Sequence, residues 1–474
     1  MATNPTLMQY FYWDYPDTGT LWNELATNAA DLAAAGVTAL WLPSPCKAER
    51  GIQDVGYGIY DLFDLGEFDQ KGALRTKYGT RQELESAIQT AHAVGLRVYL
   101  DAVLNHKAGA DGTEVVMGTP VSHDNRNIEI GPPREIEVWT SFTFPGRAGA
   151  HSGFVWNSTH FDAVDYDQRT RSAEAIYKLR DKQFETPVDP ERGNFDYLLF
   201  ADLDTNSAEV RAELNRWSDW IVRILNIDGF RLDAVKHVRF SFFNEWLDAV
   251  RGAFSERDLF AVGEYFSGNL ATLEWFIDQT GRRLSLFDFP LYFNLRVASE
   301  SGGTFDMRNL LNDTLLVRDP ALAVTFVDNH DTYRERTVQD WFKPLAYALI
   351  LLREGGQPCV FYPDYYGAPG RPSHRQILDR LLAVRRDHAY GLQTDYFDHP
   401  DVVGWTRLGD ADHPRAIAVL LSDGPGGSKR MNVDRPNRNF TDATGNVGGT
   451  ITTGNDGWGE FRCNGGSVSV WVEQ

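Results

Sequence analysis

The chain has 474 residues, of which 42% are hydrophobic and 24% charged, an ordinary globular composition with room for a large core and more than one domain. Its formal net charge of −20 argues against a nucleic-acid or anionic-membrane partner, because both need basic patches. The charge fits a neutral substrate, and bound cations could offset part of it. An acidic surface that only keeps the protein in solution explains it as simply.

Three widely spaced cysteines, Cys46, Cys359 and Cys463, form neither a disulfide framework nor a metal-ligand spacing. Cys359 lies in an apolar run and is predicted to be a small buried hydrophobe. The N-terminus lacks the basic and apolar segments of a secretion signal, and no apolar run is long enough to span a membrane. The sequence therefore predicts a cytoplasmic protein or the mature form of a secreted one.

Strand and helix patterns alternate from the N-terminus onward. An apolar stripe over Leu21–Ala33 predicts a helix that stops at Gly36, and a second over Leu84–Val94 predicts one that stops at Gly95. Repeated strand-helix-strand units predict a parallel sheet, and eight strands are what a closed (β/α)8 barrel requires. The predicted strands are Leu7–Trp13, Val37–Leu42, Leu96–Leu100, Gly229–Val235, Phe260–Glu264, Leu284–Phe289, Ala323–Val327 and Pro358–Tyr362.

The alternation breaks between about residues 107 and 206, where only a short stretch near Glu174–Lys182 shows a helical repeat. A hundred-residue loop within a compact domain is implausible, so this segment is predicted to be an inserted domain after the third strand. The alternation resumes with the apolar helix face of Leu214–Leu225.

After about residue 395 the helical patterns vanish. Val402–Arg407, Ala416–Leu421 and Ser467–Val472 are predicted strands separated by glycine-rich turns, which indicates a small antiparallel domain. The predicted domains are residues 1–105 and 207–395 for the barrel, 106–206 for the insertion and 396–474 for the C-terminal β domain.

Polar residues close four of the predicted strands: Asn105–His106, Asp233, Glu264 and His330–Asp331. In a barrel of parallel strands, all strand ends of one sense meet at one face, so these side chains would surround one pocket. Two carboxylates facing each other across a sugar are what glycosidic bond cleavage needs. Each strand end alone is a weak signal, because acidic and histidine residues are common in solvated loops. The prediction therefore depends on their joint occurrence.

The two carboxylates have different surroundings. The strand period of two places Arg231 on the same side as Asp233, and a guanidinium beside a carboxylate holds it ionised, as a nucleophile requires. A structural ion pair is an equally good interpretation of that motif alone. Glu264 follows the apolar run Leu259–Val262, and a glutamate in partly apolar surroundings has a raised pKa that suits a general acid.

Four segments, Asp101–His106, Gly229–His237, Gly263–Tyr265 and Phe326–Asp331, resemble the signature regions of the α-amylase superfamily. The resemblance covers essentially the whole chain. It implies an α/β fold, a (β/α)8 TIM barrel with an inserted β-rich domain B after strand three and a C-terminal antiparallel β domain C. Further segments resemble the liquefying bacterial α-amylases: Leu7–Phe11, Asp54–Gly58, Gly193–Tyr197, Gly424–Arg430 and Gly457–Phe461.

The resemblance implies endo-hydrolysis of internal α-1,4-glucosidic bonds in starch, glycogen and related maltooligosaccharides, with retention of configuration. It implies that Asp233 is the nucleophile, Glu264 the acid/base and Asp331 a third carboxylate that stabilises the transition state. The expected partner is an α-glucan polysaccharide or oligosaccharide, and the expected state is a monomer. The substrate-binding residues implied are Tyr57, as an aromatic platform, with His106, Arg231, Lys236, His237 and His330.

Two alternatives stay open. One is a maltooligosaccharide-forming amylase or a transglycosylase of the same superfamily, which a product profile from amylose would separate. The other is a non-catalytic glucan-binding protein on the same fold. The three carboxylates argue against it, because such residues are the first to be lost when catalysis decays.

The resemblance also implies calcium as a cofactor. Asn105, Asp196, Asp202 and the carbonyl of His237 match the family's main calcium site, between domain B and the barrel. Glu185 and Asn206 stand where relatives carry aspartate in a second site, so we expect fewer tightly held ions here. The second site, which could also take sodium, would use Asp162, Glu185, Asp204 and Asn206, and a third, between the barrel and domain C, would use Asp401 and Asp442.

Overall fold

Eight parallel strands close into a barrel in the computed structural model, which describes residues 4–474. Strands adjacent in sequence are adjacent in space, and the first strand pairs with both the second and the eighth. The prediction of a closed (β/α)8 barrel is confirmed. The barrel strands are β1 (Leu7–Gln9), β2 (Ala39–Leu42), β3 (Arg97–Ala102), β4 (Gly229–Leu232), β5 (Phe260–Gly263), β6 (Ser285–Phe287), β7 (Ala323–Phe326) and β8 (Gln357–Phe361).

Helices alternate with the barrel strands, and their ends follow from local sequence. The first helix ends at Gly36, whose φ of 110° is a left-handed conformation that glycine adopts without strain. The second begins at a capping box in which Thr80 and Glu83 satisfy each other's backbone N–H groups. The helices are Leu21–Ala35, Arg81–Ala93, Ala208–Leu225, Phe240–Ala253, Leu270–Gln279, Phe289–Glu300, Leu315–Arg318, Thr332–Glu335, Lys343–Leu352, Tyr362–Tyr366 and Arg375–Asp387.

A six-stranded, antiparallel sheet follows β3. Its first and last strands pair with each other, Ala201 opposite Lys107 and Asp202 opposite His106. The helical prediction near Glu174–Lys182 was wrong, because Ile176–Leu179 is a strand that pairs on both sides. The six strands are His106–Lys107, Gly112–Val121, Arg134–Ser141, Phe161–Val164, Ile176–Leu179 and Ala201–Leu203.

The C-terminal part of the chain is an antiparallel β unit with its own apolar core, including Met431, Phe440, Phe461 and Trp471. This agrees with the predicted C-terminal antiparallel domain. The exact domain boundaries stay a prediction. The strands are Gln393–Tyr396, Val402–Arg407, Ile417–Ser422, Gly426–Asn432, Asn439–Asp442, Thr450–Thr452, Trp458–Asn464 and Ser467–Glu473.

The three cysteines are buried and unpaired, and Cys359 is 2% exposed, as predicted for a small core residue. Across residues 4–474, every helix is too short or too polar to cross a bilayer. A secreted or a cytoplasmic location stays a prediction.

Candidate active site

Arg231 lies in β4 at the floor of a cleft and is fully buried. Its Nη1 donates to Asp101 Oδ1 at 2.8 Å and to Asp233 Oδ1 at 2.6 Å. Its Nη2 donates to Glu264 Oε2 at 2.8 Å. One guanidinium therefore holds the carboxylates of three adjacent strand ends, which is an arrangement that only a planar, multi-donor cation can make.

Asp101 is a residue that the sequence analysis gave no role. It is fully buried in β3 and accepts hydrogen bonds from Trp41 Nε1 at 3.1 Å and from Tyr57 Oη at 2.7 Å, besides those from Arg231. The signal in the sequence is an acidic residue within an apolar strand, which requires a buried cation as its partner. Asp101 therefore fixes the orientation of the Arg231 guanidinium from the neighbouring strand, β3.

Burial raises the pKa of Glu264 to about 8, and the neighbouring charge of Asp233 adds to this effect, while Arg231 opposes it. Burial also raises the pKa of Asp233, and the ion pair with Arg231 works against that rise. Carboxyl groups this close titrate together and are not all ionised at once. The donor Arg231 Nη1, 2.6 Å from Asp233 Oδ1, favours the ionised form of Asp233, whereas the raised pKa of Glu264 favours its protonated form at neutral pH.

Asp331 is held differently from the other two carboxylates. Its side chain is 39% exposed, and within residues 4–474 its one ion-pair partner is His330, with Nε2 at 3.3 Å from Oδ2. Gln9 Nε2 lies 3.1 Å from His330 Nδ1; with the Gln9 amide as donor, Nδ1 is the acceptor and the ring proton is on Nε2, facing Asp331. Burial lowers the pKa of His330 to about 3, so the ring is neutral.

These groups line a cavity of about 380 Å³. The rings of Trp13, Tyr57 and His330 lie nearly parallel, with Tyr57 and His330 centroids 5.0 Å apart and an interplanar angle of 6°. Flat aromatic surface beside clustered carboxylates suits the apolar face and hydroxyl rim of a sugar ring. The lining residues are Trp13, Tyr57, His106, Phe195, Leu198, Leu199, Asp233, Ala234, Lys236, His237, Glu264, Phe266, His330 and Asp331.

Two further histidines on the cavity wall are neutral donors. Burial lowers the pKa of His106 to about 4 and that of His237 to about 3. His106 Nε2 donates to the carbonyl of Tyr57 at 2.8 Å, and His237 Nδ1 donates to the carbonyl of Phe195 at 2.7 Å. Each bond ties a barrel loop to another segment of the cavity wall and fixes the ring orientation.

A group of buried acidic side chains lies between the insertion and the barrel. Oxygen atoms of Asp162, Glu185 and Asp204 lie within 4.8 Å of one another. Burial and mutual repulsion raise the pKa values of Asp162, Asp196 and Asp202 well above the usual range. Such a buried acidic cluster could hold a metal ion.

Several oxygen atoms in this region have no hydrogen-bond partner. Asn105 Nδ2 approaches His106 Nδ1 at 3.2 Å and Asp202 Oδ1 at 3.4 Å, which leaves Asn105 Oδ1 buried and unpaired. Asp202 Oδ2 and Asp162 Oδ2 are likewise buried without a donor. Unpaired, buried carbonyl and carboxylate oxygens are costly unless a hard cation binds them.

Asn206 does not bring its side chain into this cluster. Its side chain is exposed, and its backbone N–H donates to Glu185 Oε1 at 3.1 Å and to Asp204 Oδ1 at 2.9 Å. Lys182 Nζ contacts Asp204 Oδ2 and already neutralises part of the charge. The predicted four-ligand second site is therefore reduced to three carboxylates.

The third predicted site, at Asp401 and Asp442, stays a prediction. Asp442 already accepts hydrogen bonds from backbone N–H groups of Val470 at 2.8 Å and Val447 at 2.9 Å, so its oxygens are satisfied. Asp423 instead is buried, and neither of its carboxylate oxygens has a hydrogen-bond partner among residues 4–474. Burial and then the charge of Asp401 raise the pKa of Asp423 to about 6. Asp401 and Asp423 therefore form a second acidic pair near the C-terminal unit.

Comparison with known proteins places this cleft in a family. Residues 193–389 match the model of the "Alpha amylase, catalytic domain" family, and residues 425–472 match the "Alpha-amylase C-terminal" family. The chain is 53% identical over 480 residues to an α-amylase of Geobacillus stearothermophilus, covering 99% of this chain and 87% of that protein. The chain belongs to the α-amylase family.

A second α-amylase-like relative carries a more specific name. The glucan 1,4-α-maltohexaosidase of Bacillus sp. strain 707 is 49% identical over 484 residues, covering all of this chain and 93% of that protein. Among solved structures, an α-amylase of Geobacillus thermoleovorans in complex with acarbose superposes with a TM-score of 0.65 at 16% identity, covering 100% of this chain and 97% of that one. That likeness shows the shared fold.

Sequence reasoning located most of the cavity wall of this α-amylase family member. The structure brings Tyr57, His106, Lys236, His237 and His330 to the cavity and places Arg231 beneath it. Besides Asp101, the predictions from sequence missed the aromatic ring of Trp13 and an apolar part of the cavity wall. That part is made by Phe195, Leu198, Leu199 and Phe266. Apolar loop residues carry no chemical signature, so only the fold shows that they face the cleft.

Proposed function

We propose that this α-amylase cleaves internal α-1,4-glucosidic bonds of starch-like glucans with retention of configuration, with Asp233 as nucleophile and Glu264 as acid/base. The observation that carries the proposal is the bridging of both carboxylates by Arg231. Adjacent nitrogens of one guanidinium hold them, which favours the separation of about 5 Å of retaining enzymes over the wider spacing that an inverting enzyme needs for a water.

In the first step Glu264 gives its proton to the glycosidic oxygen while Asp233 attacks the anomeric carbon. The bond to the leaving sugar breaks, and a glucosyl ester forms on Asp233. Glu264, now ionised, takes a proton from water, and the resulting hydroxide displaces Asp233 from the same carbon. Arg231 contacts both carboxylates in each step. When Asp233 loses its negative charge in the glucosyl ester and Glu264 gains one, the negative charge therefore stays beside the same fixed cation.

Asp331 would face the sugar from the opposite side, where its partly exposed carboxylate can accept hydrogen bonds from ring hydroxyls. Tyr57 and Trp13 would offer flat surface to the sugar. The polar contacts from the cavity wall would come from His106, Lys236, His237 and His330. The open cleft suits a long chain bound across it, which is what an endo-acting enzyme needs.

We expect the protein to release reducing ends from soluble starch, with loss of iodine colour running ahead of reducing-sugar release because cleavage is internal. The first-formed product should be the α-anomer, since two inversions at one carbon restore its configuration. Proton NMR of early products checks this. A β-anomer would contradict the nucleophile assignment, and an inert purified protein would favour the non-catalytic alternative.

A maltooligosaccharide-forming enzyme is the second candidate, and the relative named as a maltohexaosidase favours it. The product-length profile from amylose separates the two, because an enzyme of that kind accumulates one oligosaccharide early. A transglycosylase would instead yield products longer than its oligosaccharide substrate. We also infer that the protein acts as a monomer, which light scattering of the purified protein tests.

We infer that calcium is the metal of the cluster between the insertion and the barrel. Asn105, Asp196 and Asp202 would hold the main ion, and Asp162, Glu185 and Asp204 a second, since calcium prefers carboxylate and amide oxygens. When bound, the ion would supply charge compensation for these acidic groups. Asp401 and Asp423 are the corresponding candidates near the C-terminal unit, with sodium as an alternative occupant of the second site.

We expect a strong chelator to lower both the melting temperature and the activity, and added calcium to restore them, because an ion that binds only the folded state stabilises it by mass action. A free calcium concentration of 100 times Kd corresponds to a stabilisation of about 2.7 kcal/mol. Thermal melts after exhaustive dialysis measure the effect. Asp202→Asn should weaken the calcium response, whereas Asp442→Asn, whose carboxylate is already hydrogen-bonded, should keep it. A metal-free protein with unchanged melting and full activity would refute the role.

A further inference from the structure

A buried ion-pair network lies behind the end of β7 and is not used by the mechanism above. Lys343, at the start of its helix, is 2% exposed, and its Nζ lies 3.1 Å from Asp328 Oδ2 and contacts Asp364 Oδ1. The second oxygen of Asp364 accepts from Tyr347 Oη at 2.6 Å. Burying such charges is a poor way to gain stability, because desolvation offsets most of their attraction. A network of this kind calls for another explanation.

The oxygen of Asp328 that does not contact Lys343 points into the loop that carries Asp331. Asp328 Oδ1 accepts from Thr332 Oγ1 at 3.0 Å, and that same hydroxyl oxygen accepts from Asn329 N at 3.0 Å. Asn329 Oδ1 in turn accepts from the N–H groups of Asp331 and Thr332, both at 2.9 Å. Four hydrogen bonds thus connect the buried carboxylate to the backbone of Asp331 and Thr332. The Thr332 hydroxyl thus accepts from Asn329 and donates to Asp328, whose ionised form is favoured by the nearby charge of Lys343.

The carboxylate of Asp331 has little else to hold it. Asp233 and Glu264 are each fixed by Arg231, whereas among the described residues 4–474 the one ion-pair contact of Asp331 is that with neutral His330, at 3.3 Å. Its side chain is 39% exposed. The place of this carboxylate in the cleft therefore depends on the backbone of its loop more than on contacts of its own.

We propose that Lys343 and Asp328 are positioning residues for Asp331: the buried ion pair sets the loop from Asp328 to Thr332, and the loop sets the third carboxylate. This inference rests on the catalytic role proposed for Asp331. A group displaced by about 1 Å from its productive place can cost about a hundredfold in rate. Loss of the pair should therefore act on kcat, through a residue that neither Lys343 nor Asp328 touches directly.

The test is a double-mutant cycle on purified full-length protein, with kcat and KM measured on a maltooligosaccharide well below the melting temperature. Lys343→Met should lower kcat by about tenfold to a hundredfold and change KM little. In the background of Asp331→Asn the same substitution should cause almost no further loss, because the group it positions is already gone. Losses that multiply in the double variant would overturn the proposal.

Lys47 supplies a matched control. It is a fully buried lysine with an aspartate partner, Asp64, at 3.4 Å, and it also donates to three backbone carbonyls, but it lies outside the loop of Asp331. Lys47→Met should lower the melting temperature while its effect on kcat multiplies with that of Asp331→Asn. If Lys47→Met behaved as Lys343→Met does, general loosening of the fold would explain both, and positioning would be refuted.

Thr332→Val gives a second approach if Lys343→Met does not fold. It removes the hydroxyl that links Asp328 to Asn329 and leaves the ion pair of Lys343 with Asp328 in place. It should lower kcat and show the same lack of additivity with Asp331→Asn. A Thr332→Val enzyme with full kcat would overturn the proposal. Full kcat in Asp331→Asn alone would instead refute the role of Asp331, so the two failures are distinguishable.

Discussion

Asp233→Asn should reduce kcat on starch by roughly four to six orders of magnitude, the loss seen when a nucleophile is removed from a preorganised site. The amide is neutral and cannot form the glucosyl ester, yet it has the size of the carboxylate and can still accept a hydrogen bond from Arg231. The fold should therefore persist, which circular dichroism and melting would show. Initial rates on starch, and on an aryl maltooligosaccharide whose leaving group needs no protonation, measure the loss.

Both substrates should lose equally, because the nucleophile is needed whatever the leaving group. Asp219→Asn is the matched control, since Asp219 is a partly exposed aspartate on the helix Ala208–Leu225 that pairs with Arg223, four residues further along the same helix. Its kinetics should equal those of the unmodified enzyme. Substantial starch hydrolysis by purified Asp233→Asn would remove Asp233 from the mechanism.

Glu264→Gln should lower kcat on starch by about 10²- to 10⁴-fold, the usual contribution of general acid-base catalysis. It should lower the glycosylation rate of an aryl maltooligosaccharide with an acidic phenol leaving group much less. Glutamine cannot donate a proton to the glycosidic oxygen, and an acidic phenol departs without one. This difference between substrates separates the acid from the nucleophile, because Asp233→Asn makes no such distinction. Single-turnover release of the phenol is the measurement.

The pH dependence gives an independent check on Glu264. Its pKa is raised to about 8, mainly by burial, and a general acid must be protonated to act. The rate of the unmodified enzyme should therefore hold below this region and fall as the pH rises through it. Glu264→Gln removes the titrating group, so that alkaline limb should vanish. Survival of the limb in the variant would assign it to another residue.

The barrel could be predicted because its helices and strands follow from local hydrophobic patterns in the sequence. Apolar stripes that stop at Gly36 and Gly95, and short apolar runs between them, are set by neighbouring residues and by the backbone freedom of glycine. The helical prediction near Ile176–Leu179 was wrong because a four-residue strand is too short to show the two-residue hydrophobic period of a strand. Its pairing partners are fixed by the rest of the sheet and not by its own sequence.

The site was predictable only in part for a similar reason. Asp233, Glu264 and Asp331 stand at strand ends, and the barrel brings strand ends together. Asp423 follows Ser422 and Asp442 follows Thr441, each at the end of a strand in the C-terminal unit, and these local sequences do not distinguish them. What separates them is whether backbone N–H groups satisfy the carboxylate, as they do for Asp442 and not for Asp423. That is a property of tertiary packing.

The pairing of His106–Lys107 with Ala201–Leu203 gives the inserted sheet a narrow neck, because both of its ends leave the barrel side by side. A segment whose ends are already joined adds little chain-closure entropy to its host, so its length and internal sequence can drift without straining the barrel. The insertion can in this sense be treated as a separable unit. Asn105 and Asp202, with their unpaired oxygens, lie at its base, where it leaves the barrel. Replacing the insertion with that of a related protein can therefore change the cleft wall and leave this base and the barrel strand ends unchanged.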